Sequence, residues 1–332
     1  MTSEFSVKTS GLFPKMIVAN RQYPFEIFLN YLTANKSTLQ ALLLKHGALL
    51  FRNFPVKHCD HFAEMIQTLG LGSFVNYIGG DSPRDKVNQH VYTSTEAPPS
   101  FQIPLHQELS FVKNHPRHIY FYCEVAPKVG GETTIGDARQ IFQAMPEKTL
   151  QKFQKQDLTY TSRYYYQSMI MKMLNRWQRS HKSWTEVFET TEKAEVERKC
   201  LDNEFTWQWL KQDWVEIKQN RPALQTHPLT GETVWFNQVH LYNFTPRLLG
   251  LKNYLGAKLF YIKKSMRLHE ATFANGEPIT KKNLYLIMDV LHNHTVHFAW
   301  HKNDVLVLDN ILAMHGRAPF IGPRRILTAM TS

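Results

Sequence analysis

The C-terminal part of this sequence carries three strand-like runs in close succession: HFAW (297–300), DVLVLDN (304–310) and RRILTAM (324–330). No such run is stable alone; each needs neighbouring strands and a second layer to bury its apolar side chains. Partners of similar character lie far upstream, in ALLFRNF (48–54), HIYFYCEV (118–125) and TVWFNQV (233–239). They are rich in aromatic and β-branched residues and bounded by turn formers. The span between, about 137–225, is mostly helical in character, as in DARQIFQAMPEKTLQKFQKQ and TEVFETTEKAEVERKC, and includes the tryptophan-rich FTWQWLKQDW. Helical periodicity also marks residues 25–46, ending at Gly47, and residues 58–69, with further helices near 246–265 and 280–292. Strands on both sides of a helical insert predict a single mainly β domain over 1–332 with helical inserts, an antiparallel sandwich or jelly roll.

Hydrophobic residues make up 43% of the 332 residues, enough for a large core. The formal net charge is +11, from 39 Lys plus Arg against 28 Asp plus Glu. The basic residues are scattered, with no run longer than a pair, so a solvated basic surface is the plain reading. Attraction of an acidic carrier domain is a second one, and no nucleic-acid module is recognisable. Cys59, Cys123 and Cys200 form neither a disulfide framework nor a zinc ribbon. With no signal-like N-terminus and no apolar run of membrane-spanning length, the expectation is a cytoplasmic protein.

Chemistry concentrates in PLHQELSF, 104–111, where His106 and Glu108 stand two apart. On a strand they point to one face and offer an imidazole and a carboxylate together. A second imidazole would complete the two-histidine, one-carboxylate triad of oxygen-activating iron(II) enzymes, which leaves coordination positions open. An H-x-E alone is weak, and 16 histidines do not single out a third ligand by counting. His292, His294, His297 and His301 straddle a helix end and read as structural. The better candidate is His315, which follows a buried strand and the polar break Asp309-Asn310. Beyond it, Arg324 and Arg325 open the last strand, and the fork of an arginine suits a carboxylate.

The ordered motifs PLHQE, PKVGGETTIGDAR, HPLTGETVWFNQVHLYN, DVLVLDNILAMHGRAPF and GPRRILTAM resemble the taurine-dioxygenase-like (TauD/TfdA) family of Fe(II)/2-oxoglutarate dioxygenases over roughly residues 40–332. Within it the chain resembles the clavaminate-synthase-like branch and the amino-acid hydroxylases associated with nonribosomal peptide synthesis. The resemblance implies a double-stranded β-helix and iron held by His106, Glu108 and His315. It also implies 2-oxoglutarate held by Thr133 and by Arg325, with Arg324 a bystander, and O2 as oxidant. In the taurine enzyme a second arginine, four residues after the 2-oxoglutarate arginine, grips the sulfonate; counted from Arg325 that position is Ala329. Substrate candidates are Asn237, Gln238 and His240 in the FNQVH patch, Arg163 in the insert, and Tyr92 with Thr93 ahead of the H-x-E strand. The implied reaction is hydroxylation of an amino acid, free or tethered to a carrier protein. Two rivals stand beside it: a zinc hydrolase using the same ligands, and a basic binding protein without catalysis.

Overall fold

In a computed structural model, residues 7–75, 85–95, 97–166, 182–260 and 267–332 are described. Seven strands form the largest sheet, in the spatial order Val7–Ser10, Lys15–Ala19, Ala48–Arg52, Val305–Asp309, His118–Val125, Arg325–Thr331 and Tyr92–Thr93. Two of the three upstream runs and two of the three C-terminal ones thus meet at its centre, joined antiparallel with Leu306 opposite Phe121 and Thr328 opposite Phe121's other edge, while Thr233–Trp235 pairs with Leu224–Thr226 in a separate sheet. HFAW forms no strand; it is an extended approach whose Trp300 enters the core.

Both faces of this sheet are dry. One packs on the helices Phe25–Ala34, Lys36–His46 and Cys59–Leu69, through Tyr120, Tyr122, Val305, Val307, Leu327 and Ala329. The helical run 25–46 is broken at Asn35, and Gly47, at φ +71°, ends its second half in the left-handed conformation that glycine tolerates. The other face presents Ile119, Phe121, Leu306, Leu308, Ile326 and Met330, which share a core with Ile135 and Ala313 of a second sheet. That sheet has three strands, Ile103–His106, Ala313–Arg317 and Ile135–Asp137, with Ala313–Arg317 central. Its far face, carrying Leu105, Leu312 and Met314, is covered by the insert.

The insert departs from the expected helical character. Helices Ala138–Ala144, Glu147–Lys155 and Lys193–Asp202 are present, yet they flank a four-stranded antiparallel sheet of Thr206–Trp209, Val215–Arg221, Leu158–Tyr164 and His269–Phe273. Val215, Ile217 and Gln219 are buried and alternate with exposed or half-exposed neighbours, the period of a half-buried strand. Residues 167–181 of the insert, and 261–265 of the helix expected near 246–265, lie outside the described residues; within that span the helices are Pro246–Leu249 and Leu251–Phe260. No described helix is long and apolar enough to cross a membrane.

Candidate active site

His106 and His315 come from different strands and meet through register. The strands Ile103–His106 and Ala313–Arg317 run antiparallel with His106 directly opposite His315. Directly opposed residues point to the same side, so the two imidazoles lie together, ring centroids 4.4 Å apart. Gly316 permits this approach, since a Cβ there would stand 2.4 Å from the Ile103 carbonyl oxygen. Glu108 lies just past the strand end, in a turn where Leu109 adopts φ +54°. Its Oε2 is 3.5 Å from His315 Nε2, and one ligand atom from each of His106, Glu108 and His315 lies within 4.8 Å of the others.

The donor set fits a divalent metal. His106 Nδ1 lies 2.9 Å from the Pro104 carbonyl oxygen, which makes it the N–H donor and leaves the Nε2 lone pair for a ligand. Burial, and after it the neighbouring His315, lowers the His106 pKa to about 3 against the opposing pull of Glu108, so the imidazole stays neutral and able to ligate. Two imidazoles and one carboxylate are the facial set that suits iron(II) with open positions. Phe121 closes the wall beside His315, ring centroids 5.1 Å apart.

The two adjacent arginines expected at the start of the last strand point opposite ways. Arg325 points outward: its side chain is 51% exposed and its Nε donates to Glu124 Oε2 at 2.6 Å. Arg324 points inward. Its Nε donates to the Gly131 carbonyl at 2.7 Å, Nη1 to Ser94 Oγ at 3.3 Å and Nη2 to Thr133 Oγ1 at 3.5 Å. Arg324 lies just ahead of the strand, whose register shifts between Arg325 and Ile326, and it turns to the core side shared by Ile326 and Met330 while Arg325 opposes it. Burial, and then Arg317, pushes the Arg324 pKa down to about 10, which leaves it charged at neutral pH. All its hydrogen-bond partners among the described residues are neutral oxygens, and a cation so placed favours an anionic ligand. Gly131, at φ +70°, lets its stem in, since a Cβ there would meet Arg324 Cδ at 3.0 Å and Phe320 Cβ at 2.8 Å. Thr133 is buried and also accepts from Trp300 Nε1 at 3.3 Å. A cavity of about 650 Å³ adjoins, lined in part by Lys86, Ser94, Thr95, Arg317, Phe320 and Arg324.

Most of the expected substrate residues lie elsewhere. Arg163 sits on a strand of the insert sheet, bonded to Glu216 at 2.6 Å and to the Arg267 carbonyl at 2.8 Å. The FNQVH patch braces the ligand strand from behind. His240 Nε2 donates to the Leu105 carbonyl at 3.0 Å, and Gln107 Nε2 to the Trp235 carbonyl at 2.6 Å. Asn237 donates to the Ala223 carbonyl, and the Gln238 backbone N–H donates to the Tyr160 hydroxyl. Burial lowers the His240 pKa to about 4, so it too is neutral. Leu105 and Gln107 alternate with the ligands, which puts this patch on the opposite face from the metal set. Tyr92, half-buried on the edge strand, is opposite Thr328, and Thr93 lines the cavity. Arg317 donates to the carbonyls of Thr95, Ala97, Pro98 and Phe101, tying down the approach to the ligand strand.

Two facing sheets, an enclosed His/Glu/His set and an inward arginine are the parts of an oxygenase of the facial-triad class. The family described as taurine catabolism dioxygenase TauD, TfdA family matches residues 8–331, and the chain belongs to it. It is therefore a dioxygenase. The dapdiamide synthesis protein DdaC of Enterobacter agglomerans is 32% identical over 292 residues, 88% of this chain and 84% of that one. A clavaminate synthase-like protein of Arabidopsis thaliana is 28% identical over 308 residues, 92% and 87% of the two chains. Among solved structures, the PvcB protein of Pseudomonas aeruginosa shares the fold with a TM-score of 0.54 at 16% identity, over 99% of this chain and 94% of that one.

Proposed function

We propose that this protein is an Fe(II)- and 2-oxoglutarate-dependent dioxygenase that hydroxylates a C–H bond of an amino-acid substrate, free or carried on a partner protein. The observation that carries the cofactor reading is the pairing of two features: the His106, Glu108, His315 set and an inward Arg324 whose hydrogen-bond partners among the described residues are neutral. PvcB is described as an Fe, alpha-ketoglutarate dependent oxygenase from an isonitrile synthetic pathway, which supports the same reading. The two facing sheets are read as the jelly roll of a single dioxygenase domain over 1–332, acting in the cytoplasm. A zinc hydrolase could use the same three ligands but gives Arg324 and Thr133 no task.

His106, Glu108 and His315 would hold the iron. Arg324 binds the far carboxylate of 2-oxoglutarate as a charged donor, and the Thr133 and Ser94 hydroxyls beside it fix its orientation. Phe121, Ile135 and Trp300 keep water from the reacting face. When bound, iron and cosubstrate supply the oxidising power: one oxygen atom of O2 enters the substrate, and the other leaves in succinate as 2-oxoglutarate loses CO2. Glu108 would take the coordination position that a halogenase keeps for halide, which favours hydroxylation.

The substrate reading rests on chemistry inside the lumen. With Arg324 as the inward arginine, the position four residues on is Thr328, a neutral hydroxyl on the inner face, while Ala329 faces the helices. No arginine stands there to grip a sulfonate. DdaC is named for dapdiamide synthesis, which supports a biosynthetic role for the reaction. Incubation with iron(II), 2-oxoglutarate and O2 should add one oxygen to such an amino acid or to its carrier conjugate, read by mass spectrometry, with matching succinate. Coupled oxidation of taurine, with amino acids inert in both forms, would refute this substrate class.

A further inference from the structure

We infer that Asn310 is a positioning residue for the metal site, holding the backbone of Glu108 where no strand does. The inference rests on the reading of Glu108 as a metal ligand. The ligand strand ends at His106, so Glu108 lies beyond it in a turn and precedes a residue in the left-handed region. A ligand in such a turn needs its backbone fixed by something else.

The Asn310 carboxamide does this on both sides. Its Oδ1 accepts from the Glu108 N–H at 2.8 Å, and its Nδ2 donates to the Glu108 carbonyl at 2.9 Å. Nδ2 also donates to the Pro116 carbonyl at 2.9 Å, closing the far end of the turn. One side chain thus supplies the donor and the acceptor that a neighbouring strand would have given. Asn310 is itself held: its N–H donates to the Arg117 carbonyl at 2.8 Å, and its side chain is fully buried. The preceding Asp309 fixes the turn by accepting from the N–H groups of Ile311 and Leu312 at 2.9 and 3.1 Å, and its other oxygen meets His227 Nε2 at 3.0 Å. Asn310 stands five residues before His315 on the same passage of chain, so one turn sets the spacing between the carboxylate and the second imidazole. Leucine matches the shape of asparagine but offers neither donor nor acceptor. Serine keeps one polar contact.

The test is Mn(II) binding to the protein without cosubstrate, followed by electron paramagnetic resonance, which reports both affinity and the symmetry of the ligand field. Asn310→Leu should bind Mn(II) roughly 10- to 100-fold more weakly with an altered spectrum, the range typical of groups that orient metal ligands. Asn310→Ser should fall between it and the parent, and stands in for it should the leucine variant not fold. Ile66→Ala, in the helix Cys59–Leu69 on the outer face of the large sheet, provides a variant of lowered Tm without contact to the site. Its Mn(II) affinity should equal the parent's. The inference is overturned if the folded Asn310 variant binds Mn(II) within twofold of the parent with an unchanged spectrum, or if Ile66→Ala weakens binding as much. A parent protein that does not bind Mn(II) at all would instead overturn the metal site itself.

Discussion

Replacing Glu108 with alanine is expected to lower 2-oxoglutarate turnover by more than about 100-fold while leaving the fold intact. Groups that merely orient metal ligands cost about 10- to 100-fold when removed, and Glu108 is assigned as a ligand itself. The carboxylate supplies the only negative charge of the His106, Glu108, His315 set, so its loss weakens the hold on a divalent cation more than loss of a neutral donor would. Structural damage should be small, because the Glu108 backbone bonds go to Asn310 and do not involve the carboxylate. Succinate release by Glu108→Ala at the parental rate, with circular dichroism unchanged, would contradict the ligand assignment.

The two adjacent arginines should separate sharply. Arg324→Ala removes an inward cation whose neighbours, Thr133 and Ser94, cannot replace its charge. Removing one partner of an enclosed charge pair costs about 2 kcal/mol or more, which is roughly a thirtyfold or greater rise in the 2-oxoglutarate KM. Arg325→Ala breaks only the pair with Glu124, whose side chains are 51% and 31% exposed, and such pairs contribute about 0–1 kcal/mol. Its KM for 2-oxoglutarate should change by less than about fivefold. Titration of cosubstrate against succinate production decides the matter, and a larger effect at Arg325 would reverse the assignment.

These arginines also show where the sequence stops speaking. Alternation normally reveals which side of a strand faces the core. In RRILTAM it is silent, because the helices cover one face and the second sheet the other. Leu327 and Ala329 are therefore as buried as Ile326 and Met330. Only the three-dimensional neighbours tell the two faces apart. His106 and Glu108 were legible as a pair and His315 as their partner in context, whereas the register that sets His315 against His106 is a property of strand pairing. The roles of Asn237 and His240 were not legible, since a buried polar side chain bonded to a carbonyl looks in sequence like one aimed at a ligand. The insert sheet was legible in part: LTYTSRY and VEIKQNR carry β-branched and aromatic residues in alternation, masked by the charged helical stretches around them.

Binding of iron(II) and 2-oxoglutarate at one site can be followed by anaerobic titration of the metal-free protein. Iron(II) followed by 2-oxoglutarate should produce a weak visible charge-transfer band that saturates at one equivalent of each. Arg324→Ala should need far more cosubstrate to reach it. No band at any cosubstrate concentration, with zinc bound tightly and supporting hydrolysis instead, would contradict it.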